Sequence, residues 1–154
     1  MLTLLFDSDM GRFQFYTHRL ELLAEWDTIA PFLNDGLNHY TIYEKCMIIS
    51  DSDFISKNPT ILLDAINTKG KKLPRLGLMW CENSELYHLI RKHLQTSNDL
   101  SKNVSTIVLY FDNDMRFSDA NQHQDNFCNK PNYNIKFSVT LREEPICNVV
   151  ISRN

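Results

Sequence analysis

Glycine is scarce in this sequence, and its scarcity excludes several common ligand-binding motifs. Only four glycines occur in 154 residues. Walker-type phosphate loops and dinucleotide-binding turns need several closely spaced glycines, because the backbone must approach the phosphate groups without intervening side chains. Neither pattern is present. The sequence therefore predicts that no ligand is cradled by a glycine-rich loop.

Long apolar runs, paired cysteines and an excess of basic residues are also missing. No segment has the apolar length to span a bilayer, and the first residues lack the basic start and cleavage site of a signal peptide. The four cysteines are widely spaced, which favours reduced thiols over disulfides or zinc. A net charge of -3 gives no electrostatic indication of nucleic-acid or membrane binding. We therefore expect a cytoplasmic protein that binds neither nucleic acid nor membranes.

Short apolar runs alternate with helical patterns along the chain. Continuous apolar character is typical of strands buried on both faces, as in a parallel sheet. The runs that predict such strands are 1–6, 46–49, 76–80, 106–111 and 135–139. The chain length and the content of 43% apolar and 23% charged residues are those of one globular domain, covering residues 1–154.

Three helices are predicted between the runs. A stripe at helical spacing predicts the first; its members are Phe13, Tyr16, Leu20, Leu23 and Trp26. Residues 58–67 begin with Asn-Pro and are followed by Gly70, and a third helix opens at Ser84. Strands alternating with helices predict an α/β fold, a three-layer Rossmann-like sandwich with a mainly parallel central sheet.

Three of the apolar runs end in pairs of aspartates. The stretches LLFDSDM, MIISDSD and LYFDNDM contain, in turn, Asp7 and Asp9, Asp51 and Asp53, and Asp112 and Asp114. The carboxyl ends of parallel strands meet at one edge of a sheet, where gathered carboxylates repel one another unless a cation lies among them. Hard oxygen ligands favour Mg²⁺. Aspartates are also common in turns and helix caps, so each pair taken alone has a purely structural explanation.

The N-terminal stretch LLFDSD resembles the first motif of the haloacid dehalogenase superfamily of phosphohydrolases. The resemblance implies that Asp7 is a nucleophile forming an aspartyl-phosphate and that Asp9 is a general acid and base. The stretch CMIIS resembles the second motif of that family and implies a catalytic role for Ser50. The resemblance also implies a small domain with a minimal cap or none.

The later motifs of the same family concern the metal and the phosphate. The stretch LYFDND resembles the fourth motif, which implies that Asp112 and Asp114 hold Mg²⁺ together with Asp7 and Asp9. The third motif supplies a lysine that neutralises phosphate charge. Lys72 is the candidate for that role. The alternatives are the neighbouring Lys69 and Lys71 and, less favoured, Lys92 and Lys102.

Two functions from different classes follow. The first is a Mg²⁺-dependent phosphatase acting on a phosphorylated small molecule or protein. The second is a non-catalytic acidic binding protein of the same fold, a toxin-neutralising or effector-type partner whose carboxylates meet a basic surface. A third interpretation takes an Asp-x-Asp pair as the metal motif of a glycosyltransferase or a topoisomerase–primase-like domain. A glycosyltransferase normally needs a longer chain. A topoisomerase–primase-like domain needs a separate upstream glutamate, for which Glu44 and Glu82 are only nominal candidates.

Overall fold

The computed structural model describes residues 14–82, 84–112, 126–140 and 146–154. A 3₁₀ turn at Gly36–His39 lies between the first helix and the second strand. In these ranges the chain forms β1 (Phe15–Leu23), α1 (Trp26–Asn34), β2 (Tyr40–Ile49), α2 (Ser52–Lys57), α3 (Thr60–Thr68), β3 (Arg75–Cys81), α4 (Glu85–Thr96), β4 (Thr106–Phe111), β5 (Asn126–Lys130), β6 (Tyr133–Thr140) and β7 (Ile146–Arg153).

The described strands form one sheet in the order β1-β2-β3-β4-β7-β6-β5. The pairs β1–β2, β2–β3 and β3–β4 are parallel, whereas β4–β7, β7–β6 and β6–β5 are antiparallel. The predicted α/β class is therefore confirmed, and so is the parallel pairing of the first four strands. The last three strands extend the sheet in the antiparallel sense.

The parallel strands follow chain order without a reversal, and this order decides where the helices lie. Right-handed crossovers between successive strands in one direction all pass the same face of a sheet. In agreement, α1 packs on α3 and α2 packs on α4. The predicted three-layer sandwich is not confirmed, because the described helices cover one face only. We call that the helical face and the opposite one the outer face.

The helical face of the sheet contains the hydrophobic core. Cys46 of β2 pairs in register with Leu76 of β3, which in turn pairs with Ile107 of β4, and all three are fully buried. They join one cluster with helix residues such as Leu62 and Ile90. Each fully buried leucine or isoleucine contributes about 1.5–3 kcal/mol relative to an exposed one, so this cluster fixes the register of the central strands.

Most of the predicted helices and strands fall within the described residues and can be compared with the structure. The strand at Thr106–Phe111 and the helices at Thr60–Thr68 and Glu85–Thr96 are confirmed. The predicted strand over residues 1–6 lies outside the described residues. The predicted helix over 13–26 is wrong, because Phe15–Leu23 is strand β1.

The spacing of apolar residues in β1 does not distinguish a strand from a helix. In β1 only Leu20 and Leu22 are buried, while the residues on either side of them are exposed. Among the described strands β1 pairs with β2 alone and buries one face, so it alternates and lacks a continuous apolar run. Leu20 and Leu23 are also three residues apart, a spacing that fits a helix equally well.

One glycine in β3 makes room for a side chain on the outer face. A Cβ built on Gly77 would overlap the sulfur of Met47, which lies across the glycine, and the ring of Tyr110 follows at 3.5 Å. Met47 is buried by this arrangement although it does not belong to the core cluster. The absence of a side chain at position 77 therefore lets neighbouring strands fill the centre of the outer face.

We expect Gly77→Ala to lower the free energy of unfolding by about 1–3 kcal/mol, because the methyl group must displace the sulfur of Met47. Met47→Ala in the Gly77→Ala background should recover part of that loss. Urea unfolding of the four proteins of this double-mutant cycle measures the coupling. Gly70→Ala is the control, since there the backbone oxygen of Asn103 is the obstacle. Strictly additive effects of the changes at 47 and 77 would contradict the packing.

Candidate functional site

The carboxyl ends of β2, β3 and β4 are joined by hydrogen bonds that backbone amides donate. The amide of Glu82 donates to Oγ of Ser52 at 3.1 Å, which joins the end of β3 to the start of α2. The amide of Asp112 donates to the carbonyl oxygen of Cys81 at 3.0 Å. The strand ends therefore form a fixed edge, the place where open parallel sheets commonly bind ligands.

Two residues directly after β2 have different roles at this edge. Asp51 caps α2, since its Oδ1 accepts hydrogen bonds from the amides of Asp53 at 2.9 Å and Phe54 at 3.2 Å. This is the structural alternative that the sequence left open for that pair. Ser50 is 7% exposed, and its Oγ has no hydrogen-bond partner in the described part of the chain. A buried hydroxyl without a partner is a costly feature that a ligand can satisfy.

A crevice of about 340 Å³ opens beside this edge. Its volume lies in the range of small-ligand pockets, and its surface is mainly apolar, as is usual for such pockets. Three of its apolar side chains, Leu23, Phe54 and Trp80, are exposed although they are large. The remaining lining residues are Ala24, Glu25, Trp26, Asp27, Ile49, Ser50 and Asp51.

Trp80 lies at the end of β3 in a strained backbone conformation. Its φ is 60°, in the left-handed region that bulky residues rarely adopt, and the β3–β4 register shifts between Leu78 and Cys81. The indole is 56% exposed, so it does not stabilise the core. Strained residues with exposed side chains concentrate at binding and catalytic sites. The strain therefore supports a functional role for the crevice.

The charged residues that are described in the crevice lining all have the same sign. Glu25, Asp27 and Asp51 are exposed there, and the described lining residues include no lysine, arginine or histidine. Glu25 and Asp27 lie at the start of α1, where a carboxylate is favoured by the helix dipole, and Glu25 makes no side-chain capping hydrogen bond. The crevice thus combines an apolar floor with an acidic rim.

The predicted catalytic and metal residues are only partly described. Asp7, Asp9 and Asp114 lie outside the described residues. Ser50 continues the helical-face positions of β2 and is buried, whereas Asp112 follows the helical-face residue Phe111 and is exposed. β3 lies between β2 and β4, so those two strands are about 9.5 Å apart. The described structure therefore places Ser50 and Asp112 at the same edge of the sheet, two strands apart.

Lys72 lies at the other edge of the sheet. It precedes β3, and its Nζ donates to the carbonyl oxygen of Asn38 at 3.1 Å. Lys69 donates to Oδ1 of the same asparagine at 2.9 Å. These lysines join the loop before β3 to the turn after α1. The structure separates Lys72 from Ser50 and Asp112 by the length of the strands.

The described thiols offer no nucleophile. Cys46, Cys81 and Cys147 are free and buried, in agreement with the predicted reduced state. Burial raises the pKa of each thiol to about 12, so the reactive thiolate is not populated at neutral pH. Within the described ranges, no three His, Cys, Asp or Glu side chains are grouped so that they could hold a metal ion.

Comparison with protein-family models, with curated proteins and with solved structures found no match to this chain. None of the helices in the described ranges is both long and apolar enough to cross a membrane.

Apart from Ser50 and Asp51, the crevice residues are not identified as functional by the sequence. Trp80 was expected in the core because it ends an apolar run, but the indole is exposed, whereas Trp26 is buried as expected. Leu23 was assigned to a helical stripe. Glu25 and Asp27 are not part of any strand-end aspartate pair. Only the topology, which places the ends of β1, β2 and β3 side by side, brings these residues together.

The strain at Trp80 predicts an unusual order of stabilities. In a regular strand, glycine is less stable than alanine by about 0.5–1 kcal/mol. At a left-handed φ the order reverses, and we expect Trp80→Gly to be more stable than Trp80→Ala by about 1 kcal/mol. Urea unfolding of the two variants provides the measurement. An alanine variant as stable as the glycine variant would show that the backbone at this position is unstrained.

Proposed function

We propose that this chain is a binding protein and that its carboxyl-edge crevice accepts a segment of a protein partner. The segment inserts an apolar side chain between Leu23, Phe54 and Trp80, and its flanking lysines or arginines meet the acidic rim. The observation that carries this proposal is the crevice itself, with its strained, exposed tryptophan and a rim whose described charged residues are all carboxylates.

The exposed apolar groups favour a protein partner. Large apolar side chains held at the surface beside a concavity are typical of residues buried on association, and aromatic residues are enriched among those that dominate binding energy. Phe54 and Trp80 have this character. A carboxylate rim adds specificity and a faster encounter with a basic partner more than raw affinity.

The described crevice lacks the arrangement that covalent catalysis requires. A serine nucleophile needs a base within hydrogen-bonding distance, but the buried Oγ of Ser50 has no such partner among the described residues. Asp51, the nearest acidic residue in sequence, is engaged in capping α2. These contacts support binding without turnover at this site.

A Mg²⁺-dependent phosphohydrolase is the second candidate function. One observation favours it: Ser50 and Asp112 both follow parallel strands at the same edge of one sheet, as the resemblance to the haloacid dehalogenase superfamily implies for its second and fourth motifs. In this proposal Asp7, Asp9 and Asp114 complete the site. Asp112 and Asp114 with Asp7 would hold the Mg²⁺, which would neutralise the phosphate and lower the pKa of the attacking carboxylate.

The binding proposal predicts that a short synthetic peptide with one leucine flanked by lysines binds the protein and shifts the Trp80 emission to shorter wavelength. We expect the double reversal Glu25→Lys, Asp27→Lys to weaken binding about tenfold, since it converts two attractive charge pairs into repulsive ones. Asp35→Lys, an exposed reversal just beyond the far end of α1, is the matched control and should have no effect. Equal binding of a glutamate-flanked peptide would contradict the proposal.

The phosphohydrolase proposal predicts phosphate release from an aryl phosphate or a phosphopeptide, present with Mg²⁺ and abolished by a chelator. Asp7→Asn should reduce release to background, because it removes the nucleophile while keeping the shape of the side chain. Asp9→Asn should reduce it by about 10²–10⁴-fold through loss of general acid catalysis. Asp112→Asn should weaken the stabilisation of the protein by Mg²⁺. Release by wild type no faster than by Asp7→Asn on every substrate would reject this function.

A further inference from the structure

A line of basic residues crosses the outer face of the sheet. Arg19 of β1 pairs in register with Lys45 of β2. Arg75 of β3 lies next to Lys45 of β2. This is because Lys45 directly precedes Cys46, Arg75 directly precedes Leu76, and Cys46 and Leu76 are paired in register. Since Cys46 and Leu76 face the core, the alternation of side chains along a strand places the cations on the outer face. We call Arg19, Lys45 and Arg75 the basic row.

The described carboxylates pair with Arg19 and lie close to Lys45, but none forms an ion pair with Arg75. Nε of Arg19 donates to Oε2 of Glu44 at 2.8 Å, and this bond raises the pKa of Arg19, with Glu21 adding to the effect. The same hydrogen bond, together with the nearby charge of Lys45, lowers the pKa of Glu44. Arg75 has no ion pair with any described residue. Like charges on adjacent strands destabilise a sheet, and an anionic group bound between Lys45 and Arg75 would offset that repulsion.

Exposed aromatic rings lie beside the row, towards the start of β1 and β2. The rings of Tyr16 and Tyr43 stack with centroids 6.5 Å apart, and His18 lies 5.5 Å from Tyr43. The tyrosines are 67% and 57% exposed. Aromatic rings held against one another at the surface offer a rigid apolar area at small entropic cost, which suits them to a binding surface.

We infer that the basic row and these aromatic residues bind an acidic segment of a protein partner, with carboxylates on Lys45 and Arg75 and apolar side chains on Tyr16 and Tyr43. Neighbouring strands place the Cα atoms of these two residues about 5 Å apart. Acidic residues on one side of a bound segment are separated by about 5–7 Å, whether at i and i+2 of an extended chain or at i and i+4 of a helix. The spacings therefore match.

The charge distribution favours a peptide over a nucleic acid. The chain has a net charge of -3, and Glu21 and Glu44 lie at the β1 end of the row. A polyphosphate backbone needs a broad basic surface, because its affinity comes from many neutralised phosphates. Two or three cations beside carboxylates fit a short segment with few acidic groups.

This surface is separate from the carboxyl-edge crevice. Lys45 lies four residues before Ile49 on β2, which places the row about 13 Å from the crevice along the strand. The inference consequently does not depend on the proposed function of the crevice. Changes at Glu25 and Asp27 should leave it intact.

The test uses a fluorescein-labelled twelve-residue peptide that alternates glutamate with leucine and alanine, and anisotropy as the measurement. A glutamine-for-glutamate peptide and a twelve-nucleotide oligouridylate are the matched probes. We expect the double change Lys45→Gln, Arg75→Gln to weaken binding of the glutamate peptide about fivefold to tenfold at low salt. The control is the double change Lys57→Gln, Lys92→Gln, two exposed lysines of the helical layer, which should leave the affinity unchanged.

Three outcomes would overturn the inference. If the control changes Lys57→Gln and Lys92→Gln weakened binding of the glutamate peptide equally, the peptide would be held only by nonspecific attraction to positive charge. Equal binding of the glutamine peptide would show that charge is not recognised. Tighter binding of the oligouridylate, lost in the Lys45→Gln, Arg75→Gln protein, would reassign the surface to nucleic acid. Circular dichroism of each variant confirms that the changes leave the fold intact.

Discussion

The parallel register of β2, β3 and β4 is the constraint on which the rest of the structure depends. Cys46, Leu76 and Ile107 lie in one transverse line and are fully buried beneath the helices. Because side chains along a strand alternate between faces, this single line determines the direction of every neighbouring residue in the three strands. A slip by one position would place Lys45 or Met47 in the core, at a cost of several kcal/mol for a buried charge.

The same constraint gives the outer part of the molecule an electrical polarity along the strands. The carboxylates of Glu25 and Asp27 lie at the carboxyl edge, whereas Arg75, which has no ion pair with a described residue, lies nearer the amino edge. The net charge of -3 averages over both ends and hides the separation. For a small domain, local charge arrangement is therefore a better guide to partners than total charge.

The sequence predicted the fold where one physical signal dominated. The run Thr106–Phe111 is apolar throughout because β4 is a central strand, and α3 begins after Asn58-Pro59 and ends before Gly70, so its limits were readable. β1 was not readable, because a strand with a single described neighbour alternates and its leucines also fit a helix.

The candidate site was less predictable than the fold for a physical reason. A strand-end aspartate has the same sequence signature whether it binds a metal or caps a helix, and Asp51 proved to be a cap. The crevice residues come from segments far apart in the chain, so no short motif contains them. Trp80 has the composition of a core residue, and only its backbone angle and exposure reveal a different role.

The irregular pairing of β1 with β2 has a consequence for self-association. The β1–β2 register shifts between Thr17 and Arg19, and the adjacent Arg19–Glu44 ion pair lies over that position. Among the described strands, β1 forms the outer border of the sheet on its side. A regular, uncharged border strand is a template on which further chains add and aggregate, whereas a bulge flanked by charged side chains is a poor one. The irregular pairing and the charged side chains of the border strand β1 thus protect the apolar strands behind it from aggregation.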